Sequence, residues 1–202
     1  MPKDPKEAVK WYRKAADQGD SAAQCFLGAA YSTGEGLSPD AGEVVKWFRR
    51  SADQGYASGQ YLLGLAYDCG NGVSEDSVEA AKWYRKAAGQ GLAEAEGLLG
   101  YMYGVGEGIP KDSTEALKWY RKAADKGEAF SQMNLGVMYG KGQGVRKDVV
   151  EAYKWLNLAA AGGLAAATKM RDALEQKMTA SQIERGQRLS GVFKANPSAV
   201  AP

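Results

Sequence analysis

Polar and apolar positions along this chain follow a helical period, and the same phrase returns again and again. In "DPKEAVKWYRKAADQG" a rotation of about 100° per residue gathers Ala8, Trp11, Tyr12, Ala15 and Ala16 on one side and sets Lys6, Lys10, Arg13 and Lys14 opposite. The pattern predicts an amphipathic helix with its indole turned inward. Gly19 closes it, and a second helix begins almost at once, carrying "LGAAY" and, in later copies, "LGLAY", "LGYMY" and "LGVMY". That helix stops at paired glycines, Gly34 and Gly36, then Gly70 and Gly72, Gly106 and Gly108, Gly142 and Gly144. No stretch shows the two-residue alternation of a strand.

The repeat has a fixed period. All five tryptophans, Trp11, Trp47, Trp83, Trp119 and Trp155, stand 36 residues apart. A period in this range marks stacked supersecondary units. Each Trp segment opens on Asp (Asp4, Asp40, Asp76, Asp112, Asp148), with Glu three residues later. That spacing is a capping box: the Asp accepts an orphan amide and the Glu reaches back to the amide of the cap residue.

A unit reading LGxxYxxGxG(V/L/I)xxDxxxAxxWxxxAAxxG resembles the Sel-1-like repeat family over roughly residues 4 to 175. The resemblance implies an all-α fold, an α-solenoid (right-handed superhelix) of antiparallel helix-turn-helix repeats. It also implies an adaptor that binds other proteins and carries no catalytic residues. The matched positions, Leu27, Gly28, Tyr31, Gly34, Gly36, Asp40, Trp47, Ala52 and Gly55, are then structural. Cysteine-rich relatives staple each unit with a Cys pair. Here Cys25 and Cys69 occupy non-equivalent repeat positions, which argues for free thiols.

The expected organisation is a repeat array over 1–178 with an incomplete first unit, a capping helix over 179–195, and a flexible tail over 196–202. Arg171, Asp172 and Glu175 replace the usual Leu, Gly and Tyr, as a terminal unit requires. Thr179 and Gln182 form a further capping box for a last helix with Ile183, Leu189, Val192 and Phe193 on its apolar side. At the other end no LGxxY helix precedes the first Trp helix, so the face of Val9 and Trp11 is expected open. Either the sequence is a piece of a longer one, or that end self-associates or meets another chain.

Comparing the units separates the LGxxY helix into two arcs. Positions 23, 24, 27, 28, 30 and 31 barely change and form the packing arc, whereas 22, 26, 29 and 33 change freely on the other side. The resemblance makes the second arc the lining of the concave side, where Phe26, Tyr61, Leu62, Leu65, Leu98, Tyr101, Met133, Asn134 and Val137 are the candidate partner-binding residues. For Phe26, Leu62 and Leu98 a second reading is equally open, that they fill space between adjacent LGxxY helices. The function expected is capture of a peptide or helix of a partner protein. The alternative is a cell-envelope glycan or peptidoglycan-binding module, with Tyr61 and Tyr101 stacking on sugar rings.

Composition narrows the chemistry. The 202 residues include no histidine, which removes Ser-His-Asp, Cys-His and HExxH catalysis together with the commonest ligand of zinc. No catalytic, cofactor or metal site is expected, and Cys69 at a helix C-terminus is poorly placed for a nucleophile. A balance of 26 basic against 24 acidic residues demands no nucleic acid. The recurring basic ladder, Lys10, Arg13 and Lys14 and their equivalents, is read as a solvated helix face. "GVGEG" and "GKGQG" follow helices and lack the Lys-Ser/Thr of a phosphate loop. No apolar run reaches the length of a membrane span, and "MPKDPKEAVK" lacks the apolar core of a secretory signal, so a soluble chain is expected, its compartment open between the cytoplasm and, if the N-terminus is truncated, the periplasm.

Overall fold

The computed structural model describes residues 4–193. Eleven α-helices and no strand occur among the described residues. The first helices of the pairs are α1 (Pro5–Asp17), α3 (Ala41–Asp53), α5 (Ser77–Gly89), α7 (Ser113–Asp125) and α9 (Val149–Ala161). The second helices are α2 (Ser21–Thr33), α4 (Ala57–Cys69), α6 (Ala93–Val105), α8 (Ala129–Lys141) and α10 (Ala165–Glu175), and α11 (Ala180–Gly191) closes the order. The fold class is that of an all-α solenoid. The chain falls into two compact units, Met1–Gln90 and Gly91–Pro202. The expected tail and the last two residues of 179–195 lie outside the described residues.

The caps differ in one respect from the expected box. Asp40 accepts from the amides of Gly42 and Glu43, Asp112 from Thr114 and Glu115, and Asp148 from Val150 and Glu151. The reciprocal arm from Glu is missing, because the cap amide is already taken. Asp76 N donates to Tyr67 O at 3.0 Å, Asp112 N to Tyr103 O at 2.9 Å and Asp148 N to Tyr139 O at 3.0 Å. The tyrosine carbonyl near the end of each second helix therefore fixes the start of the following first helix. Freed from capping, Glu43 accepts from the Trp47 indole at 2.9 Å and pairs with Lys46 at 2.6 Å, and Glu151 accepts from Trp155 at 3.0 Å. Among the described residues, α11 alone has a complete box, Thr179 with Gln182.

Packing between a second helix and the next first helix depends on the glycine of LGxxY. A Cβ on Gly64 would lie 2.6 Å from the Tyr84 ring, and one on Gly136 would lie 2.6 Å from Leu156. The absent side chain lets a bulky one press onto the helix backbone. In unit 1, Trp47 packs with Val9, Ala16, Leu27 and Ala30 at 4% exposure. In unit 2, Trp155 packs with Tyr120, Leu135 and Met138 at 1%. Trp83 is buried too, and Trp119 is half-buried.

Trp11 is 58% exposed, in line with the open face expected at this end and unlike the inward indole that the helical pattern predicts, whereas Trp47 packs on surfaces that α1 and α2 supply. Val9 departs from the expected open face: it is buried against α2, so that face holds Trp11 without Val9.

The far end of unit 2 is sealed by α11 lying on α9. A Cβ on Gly186 would lie 2.6 Å from the Tyr153 ring, Asn157 Nδ2 donates to Ser190 Oγ at 2.9 Å, and Phe193 meets Trp155 edge-on at 5.5 Å. The seal uses small residues at its centre. Val192, expected on the apolar side, is 70% exposed.

Candidate functional site

Two depressions occupy the same place in the repeat, one in each unit. Each lies between two successive second helices, over a ring that the intervening first helix contributes. In unit 1, α2 and α4 form the walls through Ala29, Leu62, Leu65 and Ala66, Val44 and Phe48 of α3 form the floor, and the cavity holds about 360 Å³. Ser32, Thr33, Cys69 and Asn71 complete its lining, so no charged side chain contributes to it. In unit 2, α6 and α8 supply Tyr101, Val105, Asn134 and Val137, Tyr120 of α7 forms the floor, and the cavity holds about 210 Å³. Lys111, Ser113 and Gln143 make this second lining more polar.

The two are related residue by residue. Tyr101 stands two periods after Ala29, Asn134 after Leu62, Val137 after Leu65, Tyr120 after Phe48 and Gln143 after Asn71. The framework stays constant while the lining changes from aliphatic to mixed aromatic and polar. Burial pushes the Tyr120 hydroxyl well above the ordinary tyrosine value, so the floor of the second groove is a neutral phenol near pH 7.

Five of the nine expected residues come together in these grooves: Leu62 and Leu65 in the first, Tyr101, Asn134 and Val137 in the second. Leu62 also touches the core around Phe48, so for it the space-filling and groove-lining readings both describe the geometry. Asn134 commits its amide to Phe130 O at 2.9 Å, within its own helix. The other four lie outside the linings. Phe26 is 49% exposed and stacks on Tyr12 with centroids 5.4 Å apart, Tyr61 is half-buried with its ring 6.2 Å from that of Tyr84, and Leu98 is half-buried. Met133 packs on Leu156, Ala159 and Ala167.

Reasoning from the second helices alone missed the floors, Phe48 and Tyr120. The signal for them is the small residue opposite: Gly28 and Gly100 sit mid-helix, where glycine is costly unless something presses on it.

Elsewhere the chemistry is structural. Arg13 Nη2 donates to the Tyr31 hydroxyl at 2.7 Å, and Arg49 and Arg121 do the same to Tyr67 and Tyr139. Lys46, Lys82, Lys118 and Lys154 pair with the Glu three residues before them, and Lys86 and Lys122 lie over the Trp83 and Trp119 rings at 3.7 and 4.0 Å. The basic ladder, expected to be merely solvated, thus holds tyrosine hydroxyls and indole faces. Among the described residues no group of His, Cys, Asp or Glu could hold a metal, and no helix is long and apolar enough to cross a membrane. Both cysteines are free, Cys25 buried and Cys69 exposed.

Sel1 repeats match residues 1–20, 21–56, 57–92, 93–128 and 129–164. Among solved structures the chain is similar to c5321, a protective antigen with an SLR fold from uropathogenic Escherichia coli, at 36% identity and a TM-score of 0.89 over 98% of this chain and 43% of that one. It is similar also to a Sel1 repeat protein from Oxalobacter formigenes, at 34% identity and a TM-score of 0.78 over 86% of this chain and 51% of that one. A Sel1 repeat protein from Klebsiella pneumoniae, at 21% identity and a TM-score of 0.53, shares the fold. The chain thus spans about half or less of the length of the first two. No curated protein matches it.

Proposed function

The chain belongs to the Sel1 repeat family, and from that premise we propose that it is an interaction scaffold which seats an apolar segment of a partner protein in the grooves of its second-helix face. Arrays of this family are protein–protein interaction modules and non-catalytic scaffolds. One observation carries the finer reading: the same depression recurs in both units with its walls held and its lining changed. A surface kept only for packing has no reason to leave a cavity of about 360 Å³ over a buried ring, and an apolar side chain entering it would exclude water from Leu62, Leu65 and Phe48. Leu62, Leu65, Tyr101, Asn134 and Val137 are the proposed contacts, with Phe26, Tyr61, Leu98 and Met133 flanking them. Glycan stacking receives less support, because the Tyr61 ring lies against Tyr84 and leaves Tyr101 as the exposed ring of the pair.

The test compares proteins and envelope material retained by the immobilised chain with those retained by Leu65→Asp and by Val137→Asp. Val78→Ala, on an exposed position of α5, serves as the control. A protein partner retained by the wild type and the control, and lost with either groove variant at unchanged helical circular dichroism, is the expected outcome. Retention insensitive to both Asp substitutions would remove the grooves, and retention of glycan alone would replace the partner class.

A further inference from the structure

We propose that the groove of unit 2 is a seat for a carboxylate: an Asp or Glu side chain of the partner segment enters beside Gly104 and accepts from the Tyr120 hydroxyl, with Lys111 as its counter-charge. The inference rests on the groove reading above and names what this groove selects. It comes from one exchange between repeat units. In unit 1 the Tyr84 hydroxyl, at the end of a buried ring pressed onto Gly64, donates to Asp68 Oδ2 at 3.1 Å. In unit 2 the Tyr120 ring presses onto Gly100 through the same two carbons, Cδ1 and Cε1, but Gly104 stands one period after Asp68.

The Tyr120 hydroxyl is thereby left without its acceptor. Tyr120 is 4% exposed and lines the groove, and among the described residues nothing accepts from its hydroxyl. Phe48 and Leu156 replace the tyrosine in the equivalent pairs with Ser32 and Gly140, so no phenol needs an acceptor there. Burial keeps the Tyr120 phenol protonated and able to donate. A buried donor without a partner is costly, and a ligand that brings the acceptor relieves the penalty.

Space for that acceptor is present. Beyond its own helix, a Cβ on Gly104 would find its nearest neighbour at 3.9 Å, the Ala116 Cβ. On Gly97 of the same helix a Cβ would instead meet Ser131 Oγ at 2.8 Å and Glu128 Oε2 at 3.2 Å. The lining selects charge. Lys111, Ser113 and Gln143 bring donors, and no Asp or Glu is among the lining residues. Asp112 spends its carboxylate on the amides of Thr114 and Glu115, and Glu128 on those of Phe130 and Ser131. Lys111 is exposed and forms no ion pair among the described residues. A neutral amide could accept from Tyr120 but would gain little from Lys111, whereas a carboxylate gains from both. The source is a side chain because the acceptor being replaced, Asp68, is one. The first groove, with no charged lining, offers an acid neither contact.

Amide NMR titration of the full chain with N-acetyl-Leu-Asp-Leu-amide tests this at Gly104 and Lys111. Expected are saturable shifts at both, an affinity at least about tenfold above that of N-acetyl-Leu-Asn-Leu-amide, and weakening with salt. Tyr120→Phe, which installs the residue that unit 1 carries as Phe48, and Gly104→Asp, which supplies the carboxylate from within, should each abolish most of that preference, and Val78→Ala should keep it. Gly104→Asp should also melt above Gly104→Asn, by a margin that narrows in the Tyr120→Phe background. No saturable shift, or an Asp preference that survives Tyr120→Phe or Gly104→Asp at unchanged helical circular dichroism, would overturn the proposal. Tighter binding of N-acetyl-Leu-Leu-Leu as the free acid would overturn it in favour of a chain end. Asp and Asn peptides bound alike, and both lost with Val137→Asp, would overturn the carboxylate seat alone and leave the apolar groove standing.

Discussion

Lys126 Nζ lies 2.8 Å from both carboxylate oxygens of Glu96, and both side chains are buried within unit 2, at 7% and 3% exposure. Unit 1 does the same job with uncharged groups: Gln54 donates to Gln24 Oε1 at 2.7 Å and Gln90 to Gln60 Oε1 at 2.8 Å, at equivalent repeat positions. One repeat has thus exchanged Gln-Gln for Lys-Glu at two positions 30 residues apart. Glu96 is an inward carboxylate at the position of the packing arc where α2, α4 and α8 carry Gln. Lys126 further donates to Gly91 O at 2.7 Å, as Gln90 donates to Gly55 O at 2.8 Å, so the exchange keeps these two contacts, but the bond that Gln24 and Gln60 donate to Ala16 O and Ala52 O has no counterpart from the Glu96 carboxylate.

The exchange predicts strong coupling. Lys126→Gln alone strands a buried carboxylate and should cost about 3 kcal/mol or more, and Glu96→Gln alone strands a buried ammonium at a similar cost. The double variant Glu96→Gln/Lys126→Gln recreates the arrangement of unit 1 and should return to within about 1 kcal/mol of the wild type. Urea unfolding of the four proteins measures this, and additive losses would show that the pair is not a unit.

The glycine of LGxxY carries a second expectation. Gly64→Ala places a methyl 2.6 Å from the fully buried Tyr84 ring and should cost about 1–3 kcal/mol through overpacking, although alanine is the better helix former. Gly89→Ala, in α5 where nothing lies within 4 Å, should instead stabilise by a fraction of a kcal/mol to about 1 kcal/mol. Equal and favourable effects at both sites would deny that a ring presses on the Gly64 backbone.

The two thiols should behave differently. Cys25 is 4% exposed and burial pushes its thiol up to about 11 from an ordinary 9.0, whereas Cys69 is exposed at the lining of the first groove. Near pH 8 a disulfide reagent should titrate one thiol at once and the second only on unfolding. The raised folded value also sets a sign: the contribution of Cys25 is complete below pH 9 and is lost as pH rises through about 11, so stability falls across that window. Cys25→Ala should flatten this part of the pH profile, and an unchanged slope would deny the coupling.

Much of this molecule is written in local chemistry. Asp at a helix start, glycine at its end, and an indole returning every 36 residues each act within a few residues of chain or repeat without change. Helix positions, pairing, the packing arc and the family followed from them directly. A helical wheel also gave the direction in which Tyr61, Tyr101 and Met133 leave their helices. It could not say what lies in that direction.

That was decided by neighbours distant in sequence. Tyr84 lies against Tyr61, Leu156 half-covers Met133, and Tyr101 stays open at the rim over Tyr120. The destinations of polar groups were settled the same way. The Glu that spacing assigns to a cap serves an indole in α3 and α9 and a lysine in α5 and α7, because a tyrosine carbonyl from the preceding helix reaches the cap amide first. Trp11 carries nearly the same local sequence as Trp47 and yet faces solvent, since burial belongs to a pair of surfaces and the sequence of one helix specifies only its own.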